Sequence, residues 1–258
     1  PAVYRGVHAL TRGADGAVRL GGQGAPIEWV VEMAPLPPCD FLDAVASRGE
    51  LSAPLLDGLG DAVASLHASA VASSADPLPL VRAVMEGNLD AARAAGLAPD
   101  RIDALAATLR DALDRSAPAL CRRAAEGRLR RCHGDLHLAN VVLVDGRPVP
   151  FDALEFDEAM ATVDTGYDLA FLLMDLEVRL DRAAANRVLS RYVARCGDAG
   201  LVEGLPFWLA MRALIRAHCE ARAGRDGDRF LDAAAALSRP APPVLVAVGG
   251  VMGTGKTR

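Results

Sequence analysis

Asp135, Asn140 and Asp152 are the residues of this chain whose types and spacing suit chemistry on a phosphoryl group. Asp135 lies in the polar stretch Cys132-His133-Gly134-Asp135-Leu136-His137-Leu138-Ala139-Asn140, where Gly134 allows a tight backbone path. Asn140 opens an apolar run to Val144. Asp145-Gly146 supplies a hairpin turn, and Pro148 to Phe151 leads back to Asp152. A hairpin brings its two ends together, so Asn140 and Asp152 can face one site with Asp135 beside it. The donor set suits phosphoryl transfer. Mg²⁺ takes oxygen ligands and keeps waters, and a separate aspartate accepts or orients the proton of an attacking hydroxyl. Taken alone, Asp152 is as readily a turn carboxylate. Asp, then Asn in the same loop, then Asp after a hairpin is the order used in kinase-type phosphoryl transfer.

A second phosphate signature ends the chain. Residues 244–248 form a β-branched apolar run entered through Pro242-Pro243, and Gly250 to Thr257 spell G-x-x-x-x-G-K-T. Backbone N–H groups around Gly250, Gly253 and Gly255 would cradle phosphate oxygens. Lys256 would reach the β/γ-phosphates, and Thr257 would bind Mg²⁺. The helix that should supply its dipole would lie beyond Arg258, so the chain reads as a fragment cut inside a second domain. Lys256 is the single lysine among 28 basic residues. The arginine excess reads as a GC-rich coding background, against which a retained lysine points to a need for a compact ammonium.

These residues need elements to hold them. Val3-Tyr4 and Val7, residues 17–20 and residues 27–33 read as strands, with glycine-rich turns at 13–16 and 21–24. Pro35, Pro37 and Pro38 then break the chain. From about residue 39 the pattern is helical, with Leu55, Leu59, Val63 and Leu66 at helix spacing. Further helices are expected near 78–95, 99–114, 164–180, 182–196 and 204–223, with a short one to about 237. A helix ending at Leu129-Arg130-Arg131 would lead into the polar loop. Residues 238–243 form a proline-stiffened linker.

Composition narrows the class. With 258 residues, 52% of them hydrophobic, the chain can build one large domain or two modest ones. A net charge of −5 argues against a dedicated nucleic-acid binder. No apolar run is long enough for a membrane span, and the N-terminus lacks a signal-peptide layout. Five cysteines without a C-x-x-C pair suit a reducing cytoplasm.

Several residues have plainer readings. Cys132, His133 and His137 have zinc-ligand types, but Gly134 and Asp135 argue against the shared helix face, and no fourth ligand is near. His133 reads as structural, His137 as loop packing or a phosphate neighbour. Glu155, Asp157 and Glu158 read as a solvated acidic face ahead of a lining for a basic substrate. His67 and His218 read as core or boundary histidines. Cys39, Cys121, Cys196 and Cys219 read as small buried hydrophobes. Arg122, Arg123, Arg128, Arg130 and Arg131 read as solvated helix-end charges.

His133-Gly134-Asp135-Leu136-His137-Leu138-Ala139-Asn140 resembles the catalytic loop of the aminoglycoside phosphotransferase-like kinases, and Phe151-Asp152 resembles that family's second magnesium-binding strand. The resemblance implies that Asp135 is the catalytic base and that Asn140 and Asp152 hold Mg²⁺. It further implies that Asp168, in Tyr167-Asp168-Leu169-Ala170-Phe171, anchors the loop from a helix, with His133 as further structural support. With residues 151–156, 167–177 and the P-loop, the chain is similar to bacterial fusions of an aminoglycoside phosphotransferase with a P-loop ATP-binding domain, truncated at both ends. The implied fold is α+β and protein-kinase-like: a partial β N-lobe over 1–38 and a mainly helical C-lobe over 39–238. A linker at 239–243 would follow, then the first strand and P-loop of an α/β NTPase domain over 244–258. The implied function is ATP-dependent phosphotransfer to a small-molecule hydroxyl in the cytoplasm, with ATP and Mg²⁺ as cofactors and no nucleic-acid or membrane partner. One departure stands out. The family's phosphate-clamping lysine has no counterpart, since residues 29–33 carry Glu32 at that place. Either a segment before Pro1 supplies it, or the domain is a catalytically silent scaffold regulating the P-loop domain. The cut at the other end favours the first.

Overall fold

Alternation of apolar and polar residues at the start of the chain produces strands, and a change to helical periodicity near residue 40 produces everything that packs beneath them. The computed structural model describes residues 3–239. Strands β1 (Tyr4–Arg12), β2 (Val18–Leu20) and β3 (Ala25–Met33) form an antiparallel sheet in the order β2-β1-β3. Ala9 faces Trp29, Val7 faces Val31 and Leu10 faces Leu20. Strand β1 runs on from Tyr4 through Arg12 rather than stopping near Val7. Gly13 closes the turn by donating to the Ala17 carbonyl, 2.9 Å away.

The prolines after β3 lead through a 3₁₀ turn, Pro38–Asp40, into α1 (Leu42–Ser47) and α2 (Ala53–Ser69). Helix α3 (Pro77–Ala94) begins as its sequence dictates: Pro77 sits at the first position and the Asp76 side chain accepts from Leu78 N. Helix α4 (Pro99–Ala125) is longer than the apolar pattern to 114 predicts and passes through Pro118. Burial of Leu113, Ala119 and Leu120 on one stripe offsets the lost backbone donor.

The next segment corrects a second expectation. Residues 129–131 are not a helix end but a short strand, β4 (Leu129–Arg131). Gly127, at φ +74°, ends the preceding helix and turns the chain into extended form. Strand β4 pairs antiparallel with β7 (Thr162–Asp164), and between them lie the hairpin strands β5 (Val141–Val144) and β6 (Arg147–Pro150) and the short α5 (Glu158–Ala161). Val141 faces Pro150 across the hairpin, whose turn places Asp145 and Gly146 at φ +50° and +72°. That is the conformation an Asp-Gly pair supplies at least cost.

Helices α6 (Thr165–Arg179), α7 (Arg182–Cys196), α8 (Leu205–Arg222) and α9 (Asp228–Leu237) complete the described residues. Every residue from Leu169 to Leu176 of α6 is buried, so this helix is the core's axis. Gly166 lets α8 approach, since a Cβ there would run into the Trp208 ring.

The arginine cluster is not the solvated group its sequence suggests. Arg123 is 1% exposed and forms paired hydrogen bonds with both Asp164 and Asp198, at 2.7–2.9 Å. Arg130 donates to the carbonyls of His67, Ala68 and Ala70 and so caps the end of α2. The cysteines also depart from expectation. Cys39, Cys121 and Cys219 are exposed, Cys196 is half-buried, and Cys132 alone of the five is buried. The two cysteines at 121 and 219 lie on outward faces of α4 and α8, which the local apolar texture did not reveal. Residues 240–258, which include most of the linker, the 244–248 run and Gly250, Gly253, Gly255, Lys256 and Thr257, lie outside the described residues. Among the described residues no helix is long and apolar enough to cross a membrane.

Candidate active site

The polar loop between β4 and β5 is held from beneath by α6. Asp168, fully buried, accepts from Gly134 N at 2.8 Å and from His133 N at 3.2 Å, and also from His67 Nε2 at 3.0 Å. Burial pushes this carboxyl up, but the His67 hydrogen bond and the charges of His67, Arg212 and His133 outweigh it and hold the group below the usual range. Seven residues on, Asp175 accepts from Leu138 N at 3.0 Å while its other oxygen takes Arg179 Nε at 2.8 Å. Between the two, Phe171 packs edge-on against the His137 ring, 5.3 Å between centroids. Positions 168, 171 and 175 share one helix face. Thus one face of α6 satisfies the amides of three loop residues.

Gly134 takes φ +83°, and a Cβ on it would collide with the Leu154 side chain. His133 is buried and joins two loops: Nε2 donates to the Phe151 carbonyl at 2.7 Å, which leaves Nδ1 to accept from Asp135 N at 3.4 Å. The ring is therefore neutral and of fixed tautomer in this network.

Asp135 itself is half-exposed. Its carboxyl is held below its ordinary value, first by His137, whose Nε2 lies 3.5 Å away, and further by Arg212 and His133. Asn140 spends its amide nitrogen on Asp135 twice, at 2.9 Å to the carbonyl and 3.1 Å to Oδ2, which leaves the Asn140 Oδ1 lone pairs for another partner. The hairpin register brings Phe151 N onto the Asn140 carbonyl at 3.0 Å, so Asp152 follows directly beside Asn140. Asp152 is exposed and adopts φ +60°, an uncommon conformation for a residue with a Cβ and one that concentrates at functional sites. Its N–H donates to the Tyr4 hydroxyl at 2.8 Å, tying the loop to β1.

Four of these positions have roles that their sequence context does not announce: Tyr4, His67, Asp175 and Arg212. Asp175 carried a signal, since two aspartates seven apart in an apolar helix share a face. The others did not, because their partners lie far along the chain; His67 and Asp168 are separated by 101 residues.

His67, Cys132 and Asp168 place ligand-type atoms within 4.8 Å of one another. Each is already committed: His67 Nδ1 bonds to the Tyr192 hydroxyl at 2.8 Å, Cys132 Sγ reaches the Val163 carbonyl at 3.6 Å, and Asp168 serves three donors. The trio is a satisfied core cluster. In the N-terminal sheet, Glu32 accepts from His8 Nε2 at 2.8 Å, so the place of the expected lysine is filled by an exposed surface pair.

Residues 35–205 match the phosphotransferase enzyme family. Over 143 residues the chain is 35% identical to uncharacterized protein Rv2004c of Mycobacterium tuberculosis (strain ATCC 25618 / H37Rv) and to uncharacterized protein Mb2027c of Mycobacterium bovis. The match spans 52% of this chain but 29% of each relative's length. Among solved structures, a glucosamine kinase in complex with glucosamine, ADP and inorganic phosphate has a TM-score of 0.52 at 21% identity, over 91% of this chain and 63% of that one. Another crystal form of a glucosamine kinase gives 0.51 at 21% identity, over 81% and 60%. These likenesses establish the kinase-like mixed helix and sheet fold. The matched segment contains the whole loop, hairpin and α6 constellation, and the chain belongs to the phosphotransferase enzyme family.

Proposed function

We propose that this chain carries the catalytic core of an ATP-dependent phosphotransferase acting on a small-molecule hydroxyl. The observation that supports it best is the double hydrogen bond from Asn140 to Asp135 together with the hairpin register that sets Asp152 beside Asn140. Asp135 accepts the acceptor's hydroxyl proton or orients it. The acceptor oxygen then forms a bond to the γ-phosphorus as the bond to the β-phosphate oxygen breaks and ADP departs. Rate enhancement in such a site comes from positioning and from stabilising the phosphoryl charge. Asn140 Oδ1 and the Asp152 carboxylate form a hard oxygen pair that fits Mg²⁺, and among the described residues Asp152 has no ion-pair partner to displace. Mg²⁺ bound there would neutralise charge on the nucleotide phosphates.

Sequence spacing alone supports nucleotide binding at Gly250 to Thr257, as a P-loop following the phosphotransferase core. The exposed segment from Asp152 to Met160, which carries Phe156 at 78% exposure, borders the site and is where the acceptor would be read. A screen of hydroxyl acceptors with labelled ATP and Mg²⁺ tests the proposal. We expect transfer of label to at least one small-molecule alcohol, retained in Lys256→Ala, which silences P-loop turnover. Absence of transfer to any sugar, aminoglycoside or amino alcohol, with ATP turnover lost in Lys256→Ala, would instead favour the scaffold.

A further inference from the structure

Arg212, on α8, is 4% exposed and ends directly behind the loop that carries Asp135. Its Nη2 donates to the Gly134 carbonyl at 3.2 Å and its Nε to the Tyr167 carbonyl at 3.3 Å. The guanidinium lies 3.8 Å from the Tyr167 ring centroid and 4.7 Å from that of Phe171. Among the described residues it pairs with no carboxylate; its hydrogen bonds go to backbone carbonyls. A buried cation without an anion is costly to maintain. Two aromatic faces and two carbonyls offset part of that cost. A merely structural contact here would be met more cheaply by an apolar side chain.

The position of the bond explains the expense. The Gly134 carbonyl and the Asp135 N–H belong to one peptide plane. Arg212 holds its oxygen end, and His133 Nδ1 accepts from its nitrogen end at 3.4 Å. Gly134, at φ +83°, would otherwise swing freely, since glycine has no Cβ to restrict it. The orientation of that plane sets the direction of the Asp135 Cα–Cβ bond.

We propose that Arg212 is a positioning residue: it fixes the Gly134–Asp135 peptide plane and so aims the Asp135 carboxylate. This rests on the phosphotransferase reading of Asp135, and the test has an arm that does not. Arg212→Met keeps much of the volume and removes charge and donors, whereas Arg212→Lys keeps the charge but can reach one carbonyl at a time. In Arg212→Met we expect kcat to fall about a hundredfold, the order that a displacement of ~1 Å costs. KM for ATP should stay within about twofold, and Arg212→Lys should lie between wild type and Arg212→Met in kcat. Independently of activity, hydrogen exchange at the Gly134 amide should accelerate in Arg212→Met while β4 and α8 amides keep their protection. Unchanged Gly134 exchange, a kcat loss that merely tracks the fraction folded, or unfolding of both variants would overturn the proposal. If wild-type protein transfers phosphate to no acceptor, the functional reading falls, and the exchange arm still decides the role of Arg212 in the loop.

Discussion

Gly134 and Asp168 show how narrowly one residue's chemistry can be set by its neighbours. Gly134→Ala adds a Cβ at φ +83° against Leu154, and we expect a loss of about 1–3 kcal/mol with a larger loss of turnover. Urea denaturation beside steady-state kinetics would check both halves. Asp168→Asn replaces one acceptor oxygen by a donor that faces a backbone N–H, His133 or Gly134. The expected cost is about 1–3 kcal/mol per unmatched group, and calorimetric melting would measure it. The types and spacing of Asp135, Asn140 and Asp152 were legible because phosphoryl chemistry demands oxygen donors in a fixed order. The roles of Tyr4, His67 and Arg212 were not, because each depends on a partner that only the folded chain brings near. Arg212 lies 78 residues from the carbonyl it holds.

At the scale of elements, helix α6 and the β5–β6 hairpin do the positioning. The hairpin was readable from Asp145-Gly146 between apolar runs, and its register then sets Asp152 beside Asn140. Strand β4, by contrast, looks like a helix end in sequence. Three residues are too few to show periodicity, and their strand character comes from pairing with β7, some thirty residues on. The same pairing explains why Arg123 is buried: Asp164 ends β7 and caps α6, accepting from Gly166 N at 2.7 Å, so its charge must be matched inside. Arg123→Ala would leave Asp164 and Asp198 buried without that partner. We expect a loss of about 3–5 kcal/mol, and equilibrium urea unfolding should detect it.

Over the whole molecule, a three-stranded sheet sits beside a helical body and touches its chemistry through Tyr4. The Tyr4 hydroxyl accepts from the Asp152 amide at 2.8 Å, so the sheet helps hold Asp152 in its left-handed conformation. Tyr4→Phe should weaken apparent Mg²⁺ activation by about threefold to tenfold, the worth of one net hydrogen bond of about 0.5–1.5 kcal/mol. A titration of activity against Mg²⁺ would show it, and unchanged Mg²⁺ dependence would remove Tyr4 from the site. The two-part architecture was readable from the change of periodicity near residue 40, and the family match over residues 35–205 agrees with the helical part of it. The most direct test is single-turnover phosphoryl transfer from Mg²⁺–ATP in Asp135→Asn, alongside its unfolding curve. We expect transfer to fall at least about a hundredfold with stability within about 1 kcal/mol of wild type. Transfer at the wild-type rate in a folded Asp135→Asn protein would contradict the assignment of this loop as the site of catalysis.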